Sequence, residues 1–267
     1  MLKISKIIEP KKNNDMKYEI KKFKDGQVTA KIVEAGDIHI KIRGNSYEDL
    51  FKAGAIKEAW DAENSENKTA IAKLTIFCLI GQRSDRRFNK GESFDLKIIS
   101  KFINAMQFDK VSILHPHSPI SLALIDNSEK ISHFEFVEKV YKTIDKPVLV
   151  SPDAGAYKTT HEIAEALNAD LVPSNKVRVD GTPVISIQGD VKGKQCLIVD
   201  DLADGGRTFK FLAEALKSQG ASKVFLYVTH AQFNYGFDEL KETINHIFCT
   251  NSFKDIDDAY VTQFKVI

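Results

Sequence analysis

Between Cys196 and Thr208 an apolar run, Leu197 to Val199, ends on two adjacent carboxylates, Asp200 and Asp201; Asp204, Gly205, Gly206, Arg207 and Thr208 then lead into a helical pattern. That order predicts a strand, an anion-binding turn and a helix. Paired carboxylates accept hydrogen bonds from the vicinal hydroxyls of a sugar, while backbone N–H groups freed by glycines at a helix start suit a phosphate. A ribose bearing a 5-phosphate meets both demands.

The chain around this stretch has 267 residues, enough for one large domain or two ordinary ones. Its formal net charge of +1 gives no global basic field, so charge does not point to nucleic acid. Cys78, Cys196 and Cys249 lie far apart in apolar, strand-like runs and read as buried, reduced thiols without zinc-site spacing. The N-terminal residues lack the apolar core of a signal peptide, and no run approaches the ~20 residues of a membrane span. The expectation is a soluble, cytoplasmic protein that does not engage a membrane.

The elements that position the chemistry follow from periodicity. The first forty-odd residues alternate apolar and polar positions and predict an antiparallel meander, with the tip of its first hairpin at Phe23 to Gln27. Phe23 there reads either as a core residue beside a strand, the commoner role, or as an exposed ring able to stack on a base. Tyr47, Leu50, Phe51, Gly54 and Ile56 have helical spacing, followed by a polar stretch, Lys57 to Asn67, around Trp60. Lys73 to Gly81 reads as one buried parallel strand that delivers the chain to a charged loop, Gln82 to Lys90. A helix on Leu96, Ile99, Ile103 and Met106 precedes a strand that ends at His115-Pro116-His117-Ser118.

The second half repeats this plan. A helix from His133 to Ile144 precedes a strand whose end presents Ser151 and Asp153. A second helix, a short strand and a turn-rich segment with Lys176 and Arg178 follow. The strand Val184 to Gln188 is expected to pair with Cys196 to Asp201 as a hairpin, and the helix after Thr208 to stop at Gly220. Polar side chains thus gather at the C-terminal ends of strands, the edge at which open α/β sheets bind ligands. The expected division is 1–143 and 144–267, two copies of one α/β design with a single ligand site between them. His39, His133, His161 and His246 have no partner motif and are assigned no role.

With the charged loop, the His-Pro-His turn, Ser151 to Gly155, Lys176 to Arg178, and Val199 to Thr208 in that order, the chain resembles the ribose-phosphate pyrophosphokinases, or phosphoribosyl pyrophosphate (PRPP) synthetases, over Phe23 to Ser252. The resemblance implies two tandem phosphoribosyltransferase-type, Rossmann-like α/β domains with mainly parallel sheets and an N-terminal antiparallel hairpin. It also implies a homo-oligomer, a dimer or a hexamer. Phe23 and Asp25 match an adenine-binding hairpin that reaches a neighbouring subunit's site, with Gln27 where the family has Glu. Arg83, Asp85 and Arg86 match the segment that holds ATP, with Ser84 in place of Gln. His117 matches a ligand of magnesium or ATP, His115 replaces the family's Asp, and Asp153 matches a second magnesium-binding position. Lys176 and Arg178 match the basic residues of a mobile catalytic loop, while Asp200, Asp201, Asp204, Gly205, Gly206, Arg207 and Thr208 form the ribose-phosphate site.

The family reaction moves the β,γ-diphosphate of ATP, with Mg²⁺ as cofactor, to the anomeric hydroxyl of ribose 5-phosphate and releases AMP. Two alternatives stand beside it, a transferase that consumes PRPP and a non-catalytic regulatory homologue. This sequence departs from the family in the phosphate loop, where Gly205 replaces a threonine and Arg207 a glycine. Loss of a hydroxyl donor with gain of a guanidinium suits a larger phosphate, such as the diphosphate of ADP-ribose.

Overall fold

The computed structural model describes residues 18–179 and 182–267; at 176–179 and 182–184 it describes the backbone alone. In the first unit, which ends at Ile131, β1 (Tyr18–Lys22) and β2 (Val28–Ile32) form an antiparallel hairpin with Tyr18 opposite Ile32. The expected meander is corrected at its third run. There β3 (Ile38–Ile42) leaves the hairpin and pairs in parallel with β4 (Ala72–Ile76), Ile40 opposite Leu74. The reason lies in the connection: a 17-residue helix, α1 (Tyr47–Glu63), joins the two strands and spans the crossover that parallel pairing needs.

Ser46 starts α1 by accepting the Asp49 N–H at 3.1 Å. Its polar second half stays helical through Glu63 because buried Lys57 pairs with Asp61 one turn on, at 2.6 Å, and Trp60 buries its ring with Nε1 donating to the Gly36 carbonyl. The long apolar run after Lys73 is a strand only as far as Ile76. Phe77, Cys78 and Leu79 remain buried, but the backbone bends there while the Phe77 N–H still donates to the Ile42 carbonyl at 3.0 Å and the Cys78 N–H to that of Arg43 at 2.6 Å. Next come α2 (Asp95–Ala105), with Leu96, Ile99 and Ile103 buried as expected, β5 (Lys110–Leu114), α3 (Ile120–Leu124) and β6 (Ser128–Ile131). The sheet runs β3-β4-β5-β6, all parallel.

The second unit is Ser132–Val266, so the division falls at Ile131 and not at 143. Its first helix, α4 (Phe134–Thr143), packs Val137 and Val140 against Leu149, Leu197 and Tyr227 of this unit. After it come β7 (Val148–Ser151), α5 (Ala154–Leu167), β8 (Leu171–Val179), β9 (Thr182–Ile187), β10 (Gln195–Ala203), α6 (Arg207–Ser218), β11 (Lys223–Ala231), β12 (His246–Thr250) and β13 (Val261–Phe264). The sheet order among the described residues is β13-β12-β11-β10-β7-β8-β9. Along β10, Cys196 and Ile198 pack beneath α6 while Leu197 and Val199 face α4 and α5. A strand buried on both faces is why this run is continuously apolar.

The expected hairpin between β9 and β10 does not form. Both flanks of β10 are taken by parallel neighbours, β7 and β11, so β9 pairs antiparallel with β8 and itself forms the edge of the sheet. Lys176 and Arg178 accordingly lie in β8 rather than in a turn-rich segment; the Asp180-Gly181 pair between β-branched runs is a hairpin signal. Gly220 ends α6 as expected, at φ +90° with its N–H on the Lys217 carbonyl.

Cys78, Cys196 and Cys249 are buried thiols outside any disulfide, and burial pushes the Cys196 and Cys249 thiols up to about 11 and 12. No helix among the described residues is long and apolar enough to cross a membrane.

Candidate active site

The sheet order of the second unit contains one reversal. From β7 the chain moves outward to β8 and β9, then returns to β10 on the other side of β7 and proceeds outward through β11, β12 and β13. Such a reversal leaves a crevice at the C-terminal strand ends, where α/β sheets bind ligands. The acidic residues stand there. Pairing of β10 with β7 stops at Ile198, whereas pairing with β11 continues to Ala203, so Asp200 and Asp201 lie in the part of the strand that has outrun β7. They belong to the strand itself and not to the turn after it.

Asp200 accepts the Asp201 backbone N–H on Oδ1 at 2.8 Å. Burial raises its proton affinity well above that of an ordinary aspartate, and the charges of Asp201 and, less strongly, Asp153 add to the rise. The pair therefore keeps a proton into a pH range where an isolated aspartate has lost it, and so offers both a donor and acceptors. Each hydroxyl of a vicinal diol is itself donor and acceptor, which is the complement of that arrangement.

Asp204 follows, fixed by Asn234 Nδ2 at 2.8 Å, and Gly206 takes φ +73° as the N-terminal cap of α6. No side chain caps this helix and no acidic residue stands in its first turn. Its leading N–H groups and positive dipole end thus face no carboxylate of their own turn, an arrangement suited to a phosphate. Arg207 and Thr208 are the exposed first residues of α6, and Gly205 is exposed beside the ring of Tyr235. Asp153, at the end of β7, is exposed and caps α5 through Oδ1, which accepts the Ala156 N–H at 2.9 Å.

In the first unit the charged loop after β4 and the turn after β5 are knit together. Gln82, which is buried, accepts the His117 N–H at 3.0 Å. Asp85 is buried too and receives the Arg86 guanidinium on both oxygens, at 2.8 and 3.1 Å. Arg86, with help from the Ser118 hydroxyl and the charge of His117, holds the Asp85 carboxyl below the usual carboxylate range. Ser84 stabilises the start of α2, its carbonyl accepting the Leu96 N–H at 3.2 Å. Arg83, Arg86 and His117 are exposed, while His115 is buried with φ +38°. Exposure thus leaves the two arginines and His117 open to solvent, whereas Asp85 is buried against the arginine it holds.

At the β1–β2 tip, Phe23 is 40% exposed, which overturns the core-packing reading, and Lys21 Nζ lies 4.6 Å from its ring centre. Asp25 accepts the Gln27 N–H at 3.0 Å and shapes the turn. The side chains of Lys176 and Arg178 lie outside the described residues. The sequence places Gln82 and Ser118 only as members of the charged loop and of the turn after β5, without a role, and carries no signal for Asn234 or Tyr235.

Among the described residues no three His, Cys, Asp or Glu side chains gather as a metal-holding group. Magnesium takes oxygen ligands and is commonly held by one or two carboxylates together with substrate phosphates, a demand that Asp153 and the Asp200–Asp201 pair can meet without a dedicated cage.

The phosphoribosyl transferase domain model matches residues 124–260, which contain β7 through β12 and α6. Ribose-phosphate pyrophosphokinase of Pyrococcus furiosus is 29% identical over 242 residues, covering 88% of this chain and 85% of that protein. The enzyme of the same name from Pyrococcus abyssi is 28% identical over 247 residues, covering 90% and 85%. Among solved structures, the crystal structure of phosphoribosylpyrophosphate synthetase from Mycobacterium smegmatis superimposes with a TM-score of 0.79 at 19% identity, over 94% of this chain and 86% of that one. The chain belongs to the phosphoribosyl transferase domain family, in its ribose-phosphate pyrophosphokinase branch.

Proposed function

We propose that the protein transfers the β,γ-diphosphate of ATP to the anomeric hydroxyl of a ribose 5-phosphate unit and releases AMP, and that its acceptor extends to 5′-substituted forms such as ADP-ribose. One observation carries the reading: a pair of adjacent carboxylates at the strand reversal runs straight into an uncapped helix start. The coverage of the relatives supports it, since they match about nine tenths of the chain and so include the first unit, whereas the phosphoribosyl transferase domain model begins only at residue 124.

In this reading Asp200 and Asp201 hold the ribose hydroxyls, and the α6 N-terminus with Arg207 and Thr208 holds the 5-phosphate. Holding the sugar at both ends directs its C1 oxygen toward the β-phosphorus. That oxygen forms the new bond to phosphorus, the bond from the β-phosphorus to the AMP oxygen breaks, and the hydroxyl proton is released. Arg83, Arg86 and His117 bind the triphosphate; Phe23, Asp25 and Gln27 bind the adenine. Lys176 and Arg178 neutralise charge on the transferring group. Asp153 would hold a magnesium ion together with the nucleotide, and the ion would supply screening of the phosphate charge.

The ADP-ribose arm rests on Gly205 and Arg207. A glycine leaves the loop open beside the 5-phosphate, and an exposed guanidinium at the helix start suits the second phosphate of a diphosphate. The test is AMP formation from ATP and Mg²⁺ with each acceptor in turn. AMP with ribose 5-phosphate or ADP-ribose supports the transfer; AMP with neither overturns it. Arg207→Ala should weaken ADP-ribose more than ribose 5-phosphate.

A further inference from the structure

Beyond Ala231 the chain folds back over the phosphate loop. Gln232 and Phe233 both donate their N–H groups to the Ala203 carbonyl, at 2.9 and 3.0 Å. Phe233 is buried at φ +40°, and its own carbonyl accepts from Lys254 Nζ at 3.2 Å and from the Gly236 N–H at 3.1 Å. The Asn234 amide is bound to Asp204. The segment is therefore fixed at two consecutive residues, Ala203 at the end of β10 and Asp204 at the start of the loop that follows, and by a lysine behind it.

Out of this fixed backbone stands Tyr235, 88% exposed and more open to water than any other large apolar or aromatic side chain described. Its Cδ2 atom lies 3.6 Å from the point that a Cβ on Gly205 would occupy. A scattered exposed aromatic needs no explanation. This ring differs because its backbone is fastened to the phosphate loop and because its neighbour there has no side chain. A hydroxyl-bearing or branched residue at 205 would stand against the ring, whereas glycine leaves both the ring and the loop backbone open to the same ligand.

We propose that Tyr235 is a stacking platform for the base of the acceptor, a specificity-determining residue that favours ADP-ribose over ribose 5-phosphate. The inference rests on the diphosphokinase reading and deepens its acceptor side. A ribose 5-phosphate seated at the α6 N-terminus ends at its phosphate. An acceptor whose phosphate continues through a second phosphate to adenosine must place a purine outside the loop, where the exposed ring next to Gly205 stands. A tyrosine presents a flat π-face at small conformational cost, and stacking on such a face does not require the base edge to be read.

The experiment compares Tyr235→Ala, Tyr235→Phe and Tyr235→Trp with the full-length wild-type protein. AMP release is measured with ADP-ribose and with ribose 5-phosphate, and ADP-ribose binding by calorimetry. Because the side chain is exposed, the variants should fold. Loss of the ring should raise KM for ADP-ribose roughly tenfold or more at nearly constant kcat, leave both constants for ribose 5-phosphate and KM for ATP unchanged, and weaken ADP-ribose binding in parallel. Phe and Trp should restore wild-type behaviour, since stacking does not need the hydroxyl. Equal losses on both acceptors, a shift confined to ATP, or a Phe variant as weak as Ala would overturn the platform. If the wild type makes AMP with ribose 5-phosphate but neither uses nor binds ADP-ribose, the platform fails and the diphosphokinase reading stands. If it makes AMP with neither acceptor, that reading fails, and the calorimetric comparison alone then decides on Tyr235.

Discussion

The side-chain carbonyl of Gln82 accepts the backbone N–H of His117 at 3.0 Å, and so ties the charged loop after β4 to the turn after β5. The two loops thereby hold Arg83, Arg86 and His117 in one framework. Replacing Gln82 by Leu keeps an apolar body of similar size but leaves that N–H without its acceptor. A cost of about 1–3 kcal/mol is expected, read as a lower urea midpoint at unchanged slope. KM for ATP should rise with it while the acceptor KM stays constant.

Gly206 and Gly205 should respond in opposite ways to the same change. Gly206 sits at φ +73°, and an added Cβ would lie 3.2 Å from Leu240 Cδ1, so Gly206→Ala is expected to lose about 1–2 kcal/mol of stability and most acceptor binding. A Cβ on Gly205 meets only Tyr235, at 3.6 Å. Gly205→Ala should therefore melt within about 0.5 kcal/mol of wild type. Paired thermal melts check both.

Asp200 gives a pH dependence whose sign can be worked out. Its carboxyl holds a proton more tightly in the folded chain than its ordinary value of 3.8. Over the window from that value up to the raised one, the folded state binds more protons than the unfolded state, and stability falls as pH rises. Asp200→Asn keeps the Oδ1 acceptor for Asp201 and removes the charge. The variant should melt with wild type near the acid end of the window and above it at neutral pH, by on the order of 1 kcal/mol, while AMP formation is lost. A melting difference that does not grow with pH would contradict the assigned cause.

Lys176→Ala should lower kcat by roughly a hundredfold, the scale of removing one charge-stabilising donor from a transition state, with KM for ATP little changed. An unaltered rate would remove Lys176 from the mechanism. Single-turnover measurements separate this chemical effect from slow product release.

Much of the second unit was legible along the chain because its signals are local. A strand buried on both faces must be continuously apolar, a helix with one buried face must repeat at 3.6 residues, and Gly220 marks a helix end; Leu197 to Val199, Phe209 to Leu216 and the α6 terminus follow from these. The Asp200–Asp201 pair and the glycine loop were legible for the same reason, since sugar and phosphate are held by residues adjacent in sequence.

Pairing partners were not legible. Whether β3 joins the hairpin or the parallel sheet, and whether β9 pairs with β8 or β10, depends on which strand edges other elements have already filled. No single segment encodes that. The boundary at Ile131 has the same origin, because α4 is assigned by what Val137 and Val140 pack against.

By itself, the sequence determined the strand, turn and helix around Asp200 to Thr208 and the chemistry those residue types offer. Tertiary structure alone decided that the pair stands where β10 outruns β7, that Gln82 reaches across to His117, and that Tyr235 stands beside Gly205. Contacts between residues 30 or more positions apart are set by which elements pack together, and the periodicity of a segment shows that a face is buried but not which partner buries it.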